Sequence, residues 1–368
     1  MRFPEFSGEW DSFKLVELGK FIGGGTPSSS NLSFWTGSIP WISSSDIKED
    51  NINNISISRY ITEEAIEKSA TKYCPAPVIL IVSRVGVGKV ALSHTSLCTS
   101  QDFCNIIEIK CHPVFLSYNL LRTMKRKSRE VQGTSIKGIT SDELQKMRVF
   151  IPKNKDEQNK ISNLLTLLDE RIATQNKIIE DLNKLKSAIS ECIFNSIKGD
   201  VVMLSEICDI VKGKQINGEY LSESGEYYVM NGGTEPSGYY SEYNVKANTI
   251  SISEGGNSCG YVQFNNFPFW SGGHCYSLQN IADIVDNLYL YHYLKSKEEA
   301  IMKLRIGSGL PNIQKKDLAM FKTIVPLFEQ QITISTFLSS LERKAEIEER
   351  ILNVMQKQKL YLLQQMFI

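Results

Sequence analysis

The chain has 368 residues and a formal net charge of zero, because 41 Lys and Arg balance 41 Asp and Glu. This balance argues against a polycation that coats nucleic acid and against an acidic disordered tail. The length predicts two or three domains. No apolar run approaches the roughly 20 residues of a membrane span, and the start lacks the apolar region of a signal peptide. We therefore expect a cytoplasmic protein with no membrane partner.

The first globular half, residues 1–155, is predicted to be α+β. The run Val78–Val82 indicates a buried strand, a glycine-rich turn follows at residues 85–89, and residues 113–127 indicate a helix. A dense basic run, residues 125–129, lies at the end of this helix. The half holds 20 Lys and Arg against 15 Asp and Glu, so it is mildly basic.

The rest of the chain predicts a helix, a second globular half and a second helix. Residues 156–200 and 329–368 each carry a heptad seam of largely apolar residues, typical of coiled coils. About 40 helical residues make a rod of roughly 60 Å. The half between them, residues 201–328, has an alternating strand pattern at 248–253 and a helical pattern at 286–305. It holds 10 Lys and Arg against 13 Asp and Glu.

The two halves are copies of one unit. Residues 133–152 align with 307–326, and each copy continues through a Glu-Gln pair, Glu157-Gln158 or Glu329-Gln330, into a helix. Residues 160–172 then align with 333–345. A repeat this long is a duplicated domain followed by a helix, not a solenoid.

Polar residues that interrupt the heptad seams favour antiparallel pairing of the two helices. In one antiparallel register Lys186 faces Glu348, and Gln175 faces Lys359. Parallel pairing would instead bring Lys186 beside Lys359, two like charges in one seam. The same register sets Leu182 against Leu352, Ile179 against Met355 and Leu168 against Met366. The alternative is that each helix packs only on its own globular half.

Signals for catalysis and metal binding are weak. The turn at 85–89 departs from the phosphate-loop pattern at both ends. Cys275, after His274, is a conceivable thiol nucleophile, but the sequence places no orienting carboxylate nearby. The group His94, Cys98, Cys104, Cys111 and His112 has spacings too loose for a zinc site, and we favour Cys as a small buried hydrophobe. We predict a non-catalytic chain that binds no metal or cofactor itself.

Basic runs and small polar loops recur in both copies and indicate contacts with DNA. Lys and Arg suit phosphate, while Arg84 or Lys89 suits guanine and Asn257 suits adenine. The predicted DNA-contacting residues are Ser43, Ser44, Ser45, Asp46, Arg84, Lys89, Lys125, Arg126, Lys127 and Lys137 in the first copy, and Asn231, Asn257, Lys303, Arg305, Ser308, Asn312 and Lys315 in the second. Ordinary turns and solvated helix faces explain the same residue types.

Four motifs together carry a family resemblance. They are the opening Arg2–Trp10, the run Gly23–Pro27, the run Ile39–Ile42, and the twice-written Pro/Glu-Gln/heptad unit. On these motifs the chain resembles, over essentially its whole length, the specificity (S) subunit of type I restriction–modification systems. One departure is that Asp169 of the first helix corresponds to Glu342 in the second.

The resemblance implies two pseudo-symmetric α+β target-recognition domains joined by two long antiparallel coiled-coil helices. Each domain would recognise one half of a bipartite site in double-stranded DNA. The helices would set the spacing and dock two modification (methyltransferase) subunits, which restriction/motor subunits then join. S-adenosylmethionine, ATP and Mg would be bound by those partners.

Three alternatives remain open at this point. The chain could be a standalone sequence-specific DNA-binding regulator, a methyltransferase or nuclease with an unusual site, or a coiled-coil scaffold with no DNA role. Because the second half is acidic, we expect weak DNA binding by the chain alone, with high affinity and a steep salt dependence only in the assembled complex.

Overall fold

The computed structural model describes residues 2–131, 138–307, 309 and 311–367. The chain divides into two compact units: unit 1 is Met1–Asn176 with Ile351–Ile368, and unit 2 is Lys177–Arg350. Each long helix thus contributes one half to each unit, whereas the sequence was divided into four consecutive segments. None of the helices in the described ranges is both long and apolar enough to cross a membrane.

The described residues of unit 1 form ten strands in three sheets. The strands are β1 (Asp11–Lys14), β2 (Lys20–Gly23), β3 (Ile39–Ile42), β4 (Arg59–Ile61), β5 (Tyr73–Cys74), β6 (Val78–Val82), β7 (Val90–Ser93), β8 (Leu97–Thr99), β9 (Phe103–Ile107) and β10 (Arg148–Ile151). The helices are α1 (Leu15–Leu18), α2 (Glu63–Glu67), α3 (Pro113–Val131), α4 (Ser141–Lys146) and the first half of α5 (Lys155–Ser196). The sheets have the orders β2-β9-β6-β7, β4-β3-β8-β5 and β1-β10.

Unit 2 repeats this plan. Its strands are β11 (Asp200–Met203), β12 (Asp209–Lys212), β13 (Tyr227–Met230), β14 (Tyr239–Tyr240), β15 (Thr249–Ser253), β16 (Val262–Asn265), β17 (Trp270–Ser271), β18 (Cys275–Gln279) and β19 (Lys322–Val325). Its helices are α6 (Leu204–Ile207), α7 (Asn287–Ser296), α8 (Glu298–Met302), α9 (Lys315–Ala319) and the first part of α10 (Phe328–Met366). The sheets are β12-β18-β15-β16, β14-β13-β17 and β11-β19.

The shared sheet order confirms the predicted duplication and the α+β fold class. In each unit one four-stranded sheet is antiparallel, and the neighbouring sheet contains one parallel pair, β3 with β8 or β13 with β17. The predicted strand Val78–Val82 is β6, and the predicted helix at 113–127 is α3. The helical pattern at 286–305 forms two helices instead of one, with Lys297 between them.

The position of β6 between two apolar layers explains its unbroken apolar run. Ile79 and Ile81 pack in one core cluster with residues of α3 and α5. Val78, Leu80 and Val82 alternate with them and pack in a second cluster that includes residues of β3 and β8. A strand buried on both faces needs apolar residues at every position, which is the pattern that β6 shows.

A buried glutamine attaches each long helix to its globular half. Gln158 donates from Nε2 to the Pro152 carbonyl at 2.8 Å and accepts the His112 N–H at 3.1 Å. Gln331 donates to the Pro326 carbonyl at 2.9 Å and accepts the Asp286 N–H at 2.8 Å. The sequence alignment of Gln158 with Gln330 was therefore wrong by one residue.

The helices run antiparallel in each unit. In unit 1, Ile161 and Leu165 near the start of α5 share a core cluster with Leu363 and Phe367 at the end of the chain. In unit 2, residues near the end of α5, such as Phe194, share a cluster with Leu338 near the start of α10. Both halves agree with the predicted direction of pairing.

The predicted register of the helices is wrong by six residues. Lys186 contacts Glu342 at 3.4 Å instead of facing Glu348, and Lys359 forms an ion pair with Asp169 instead of facing Gln175. Both acidic residues lie beside the heptad seam. They were overlooked because side chains of the globular halves extend the buried face of the helices beyond that seam: the Tyr118 hydroxyl donates to Asp169 at 2.7 Å, and the Tyr291 hydroxyl to Glu342 at 3.4 Å.

All the residues predicted to line the seam are buried or half-buried. Gln175, Glu348, Lys359 and Met366 are buried, and Leu168, Ile179, Leu182, Lys186, Leu352 and Met355 are half-buried. Glu348 forms its ion pair along its own helix, with Lys344 at 2.5 Å. Leu168 packs against the unit 1 core cluster that contains Met366. The other predicted facing pairs were derived from the incorrect register.

Candidate nucleic-acid interface

The serine-rich turn of unit 1 follows strand β3 and is held by internal bonds. Ser44, Ser45 and Asp46 form a single 3-10 turn. The Asp46 carboxylate accepts hydrogen bonds from the Ser43 backbone N–H at 2.7 Å and from the Arg59 guanidinium. Lys89 donates to the Ser44 carbonyl at 3.2 Å. The side chains of Asp46 and Lys89 therefore hold the loop in its shape. The small polar groups that the loop carries are the hydroxyls of its three serines.

A cavity of about 600 Å³ lies beside the end of β6 in unit 1. Exposed Arg84 lines it, together with Gln101 and Thr140, and small residues such as Gly23 and Ser83 form other parts of its wall. The Ile139 N–H donates to the Ser83 carbonyl at 2.7 Å and so brings the segment before α4 to the strand end. Four segments far apart in sequence thus form one recess with polar and apolar walls.

The corresponding loops of unit 2 are joined by main-chain contacts. The Asn231 side chain accepts the His274 N–H at 3.1 Å. The Gly256 N–H donates to the Pro311 carbonyl at 3.0 Å, and Asn312 forms isolated bridges with Ile306 and with Gly255. Exposed Asn257 lies in the same turn as Gly256. Three predicted DNA-contacting asparagines, Asn231, Asn257 and Asn312, therefore lie on adjoining loops.

A buried carboxylate, that of Glu254, lies among these loops of unit 2. Its Oε1 accepts hydrogen bonds from Lys212 Nζ at 2.6 Å and from the Tyr276 hydroxyl at 3.2 Å. Its Oε2 is buried without a hydrogen-bond partner in the part of the chain that the structure describes, and His274 Nδ1 lies 3.7 Å away. Burial, and then the Glu254 charge, raise the pKa of Tyr276, so its hydroxyl stays a donor.

The predicted basic residues fall into two groups. Lys125 forms an ion pair with Asp50 and lines a cavity with Asp169 and Lys359, so it belongs to the packing around the helices. Besides Arg84, the exposed cations of the predicted set are Arg126 on α3, Lys303 and Arg305 after α8, and Lys315 at the start of α9, while Lys89 and Lys127 are half-buried. Lys137 and Ser308 lie outside the described residues.

The cysteines of the predicted loose cluster lie mainly in strands. Cys98 and Cys104 are buried in β8 and β9, where burial raises the pKa of both thiols, that of Cys98 to about 12. Cys275 is buried in β18, and burial raises the pKa of its thiol to about 11. These thiols are protonated at neutral pH, which removes the thiolate that a nucleophile needs. Among the described residues no group of His, Cys, Asp and Glu is arranged to hold a metal ion.

Sequence reasoning missed Lys212 and underestimated Glu254 and His274 as candidate contact residues. They come from three separate strand ends, which only the folded sheet brings together. The difference becomes visible when the two copies are aligned strand by strand, because Lys212 of the second copy then stands where the first copy has Gly23. The loops, in contrast, were recognisable from their glycines and short polar residues.

Comparison with known proteins identifies relatives of both copies. Residues 7–184 and 198–357 each match the family described as type I restriction modification DNA specificity domain. The chain is 34% identical over 186 residues to the type I restriction enzyme MjaIX specificity subunit of Methanocaldococcus jannaschii, covering 48% of this chain and 42% of the relative. It is 34% identical over 177 residues to the Escherichia coli EcoR124I/EcoR124II specificity subunit, covering 46% and 43%. These alignments thus span less than half of either relative.

Solved structures share the fold over the whole chain. The S subunit of a type I restriction–modification system from M. genitalium superposes with a TM-score of 0.67 at 19% identity, covering 100% of this chain and 99% of that one. A chain from a structure described as the basis of complex assembly and conformational transition of the type I R-M system gives a TM-score of 0.63 at 17% identity. It covers 98% of this chain and 97% of that one. At these identities the similarity concerns the fold.

Proposed function

Because the chain belongs to the family of type I restriction modification DNA specificity domains, we propose that it recognises DNA sequence for a type I restriction–modification complex. Each unit recognises one half of a bipartite site in double-stranded DNA. The observation that carries this proposal is the duplication of one fold with adjoining polar loops in the same place of each copy. Two recognition domains on one chain match the two halves of such a site.

The loop chemistry supports base recognition in preference to simple phosphate binding. Hydroxyl, amide and guanidinium groups at the strand ends can form hydrogen bonds to base edges in the major groove. The loops differ between the copies: Ser43 and Arg84 in unit 1 correspond to Asn231 and Gly255 in unit 2. The same framework with different loop side chains fits recognition of two different half-sites.

The long helices supply the remaining parts of the proposal. Helix α5 has 42 residues and α10 has 39, so each is about 60 Å long. Both carry exposed apolar side chains, which include Leu167, Ile178 and Leu185 on α5 and Phe337, Ile347, Val354 and Tyr361 on α10. Apolar side chains that form a contiguous exposed patch mark a surface that a partner covers. We assign this surface to two modification subunits, with the helices setting the spacing between half-sites.

The chemistry of the complex is assigned to its other subunits. The modification subunits bind S-adenosylmethionine and methylate the DNA, and the restriction/motor subunits use ATP and Mg. This chain contributes recognition and no catalytic group. The protonated buried thiols of Cys98, Cys104 and Cys275 agree with that division of labour.

Methylation mapping tests the proposal. The chain is co-expressed with its modification subunits, and the methylated positions of the host DNA are sequenced with and without this chain. We expect a single two-part motif with a fixed spacer that disappears when the chain is omitted. Methylation without a motif, or a motif that persists in its absence, contradicts the proposal.

A binding assay tests the division of affinity between the subunits. The chain alone and the assembled complex are titrated with the mapped site at several salt concentrations. We expect weak binding by the chain alone and a much steeper salt dependence for the complex, because unit 2 is acidic and partner cations neutralise phosphates. Equal salt slopes would contradict this assignment and favour a standalone DNA-binding regulator.

A further inference from the structure

One end of the antiparallel four-stranded sheet, β2-β9-β6-β7 in unit 1 and β12-β18-β15-β16 in unit 2, differs between the units at three matched positions. In unit 1, Gly23 is paired with Cys104 across β2 and β9. In unit 2, the same pairing joins Lys212 to Tyr276 across β12 and β18. The residue after β6 is Ser83 in unit 1, and the residue after β15 is Glu254 in unit 2. The backbone carbonyl of each accepts a hydrogen bond from the N–H of an isoleucine, Ile139 or Ile313.

These substitutions place larger side chains in unit 2 at positions where small residues border a cavity in unit 1. Small side chains of Gly23, Ser83 and Cys104 border the recess of about 600 Å³. In unit 2 the larger side chains of Lys212, Glu254 and Tyr276 occupy the matched positions and are joined by hydrogen bonds at 2.6 and 3.2 Å. The two units therefore differ in side-chain size and charge at the same place of the fold.

Because the Glu254 carboxylate is buried, it requires a cation beside it, and this requirement holds Lys212 in place. A desolvated carboxylate is costly unless a cation and hydrogen bonds compensate it, and Lys212 is the cation 2.6 Å from it. The Lys212 side chain is still 53% exposed. An ammonium group has three N–H donors, and among the described residues only Glu254 accepts one of them from Lys212. The remaining donors are available to a ligand on the loop surface.

We propose that Lys212, positioned by Glu254, is the specificity determinant of unit 2 and contacts a guanine in its half-site. This inference rests on the proposed function. Guanine presents two acceptors, O6 and N7, in the major groove, and Lys is one of the two side chains that pair with them best. Unit 1 has Gly23 at this position, so its half-site is recognised by other groups.

The test compares methylation by the assembled complex on a library in which both half-sites are randomised. The wild type is expected to require guanine at one fixed position. In Lys212→Met that requirement relaxes, with discrimination at the position falling about 5- to 150-fold, while the other half-site stays unchanged. Lys212→Arg keeps the donors and retains the preference for guanine. Glu254→Gln relaxes the same position, because an amide no longer fixes the ammonium by charge.

Lys322→Met is the matched control. It removes one exposed lysine of the same unit from the separate sheet β11-β19, and it leaves the motif unchanged. Thermal unfolding of each variant shows that loss of preference is not loss of fold. A wild type with no two-part motif defeats the proposed function itself. A wild-type motif that Lys212→Met leaves intact, or whose rate falls equally for every base as with a phosphate contact, defeats only this inference.

Discussion

Two ion pairs between the long helices, one in each unit, join a lysine to a carboxylate in very different surroundings. In unit 1 the side chains of Lys359 and Asp169 are 5% and 3% exposed. In unit 2 those of Lys186 and Glu342 are 32% and 26% exposed, with 3.4 Å between the charged atoms. The duplication therefore preserved the charge pattern of the seam but not its burial.

The buried pair has additional hydrogen-bond partners that compensate its desolvation. The Tyr118 hydroxyl donates to Asp169 at 2.7 Å, and Lys359 also donates to the backbone carbonyl of Asp50. In unit 2 the Tyr291 hydroxyl lies 3.4 Å from Glu342. A buried charge network tolerates fewer arrangements than an exposed one, because each unsatisfied charge is expensive. We infer that unit 1 fixes the helix register more strictly than unit 2.

Removing the buried lysine should have the largest effect. In Lys359→Met the Asp169 carboxylate is left buried without its cation, and we expect unit 1 to lose about 3–5 kcal/mol in free energy of unfolding. Urea-dependent hydrogen exchange, followed by mass spectrometry of peptides from β6, measures this unit separately. The matched variant Lys186→Met should cost unit 2 about 1 kcal/mol or less, because its pair is partly solvated. Equal losses in the two units would remove the distinction between the pairs.

Removing the tyrosine hydroxyls should have an intermediate effect. Tyr118→Phe deletes a 2.7 Å hydrogen bond to a buried carboxylate, for which we expect about 1.5–3 kcal/mol. Tyr291→Phe deletes the longer contact with Glu342 and should cost unit 2 less than about 1 kcal/mol. The same exchange experiment, with β15 peptides for unit 2, gives both values. A larger loss for Tyr291→Phe would reverse the order that burial predicts.

A loss of unit 2 stability at mildly acidic pH should be the smallest effect. Burial lowers the pKa of His292, which lies 3.0 Å from the Ser339 hydroxyl, although Glu342 and Asp286 raise it in part and Lys186 lowers it further. The unfolded chain therefore takes up this proton first, and unit 2 loses stability as the pH falls below about 6.5. Unit 1 has Asn119 at the matched position, next to Tyr118.

His292→Asn tests the origin of this sensitivity. The variant should lessen the loss of unit 2 stability between pH 7.5 and pH 5.5, measured by exchange of β15 peptides after correction for intrinsic rates. His112 of unit 1, whose pKa burial also lowers, is left unchanged as an internal reference. If the variant destabilises unit 2 equally at both pH values, another group causes the acid sensitivity.

The sequence was informative where local pattern determines structure. The five apolar residues of β6 predicted a buried strand, and the heptads without proline or glycine predicted α5 and α10. The helix register was predicted incorrectly, because Asp169 and Glu342 become buried only when the globular halves pack beside the seam. The Lys212 and Glu254 contact was invisible for a similar reason: the two residues are 42 positions apart. A single sequence contains no record of which strand ends meet.

The two attachment glutamines, Gln158 and Gln331, have a consequence for exchange of modules. The atoms that they bind in the globular halves are main-chain atoms: the carbonyls of Pro152 and Pro326 and the N–H groups of His112 and Asp286. Main-chain groups are the same whatever side chains surround them. The hydrogen bonds of Gln158 and Gln331 are therefore insensitive to mutation of the loops of the globular halves. Exchange of a whole globular half would therefore keep the partners of these two glutamines, whereas side-chain contacts such as Tyr118 with Asp169 depend on the residue that the new half supplies.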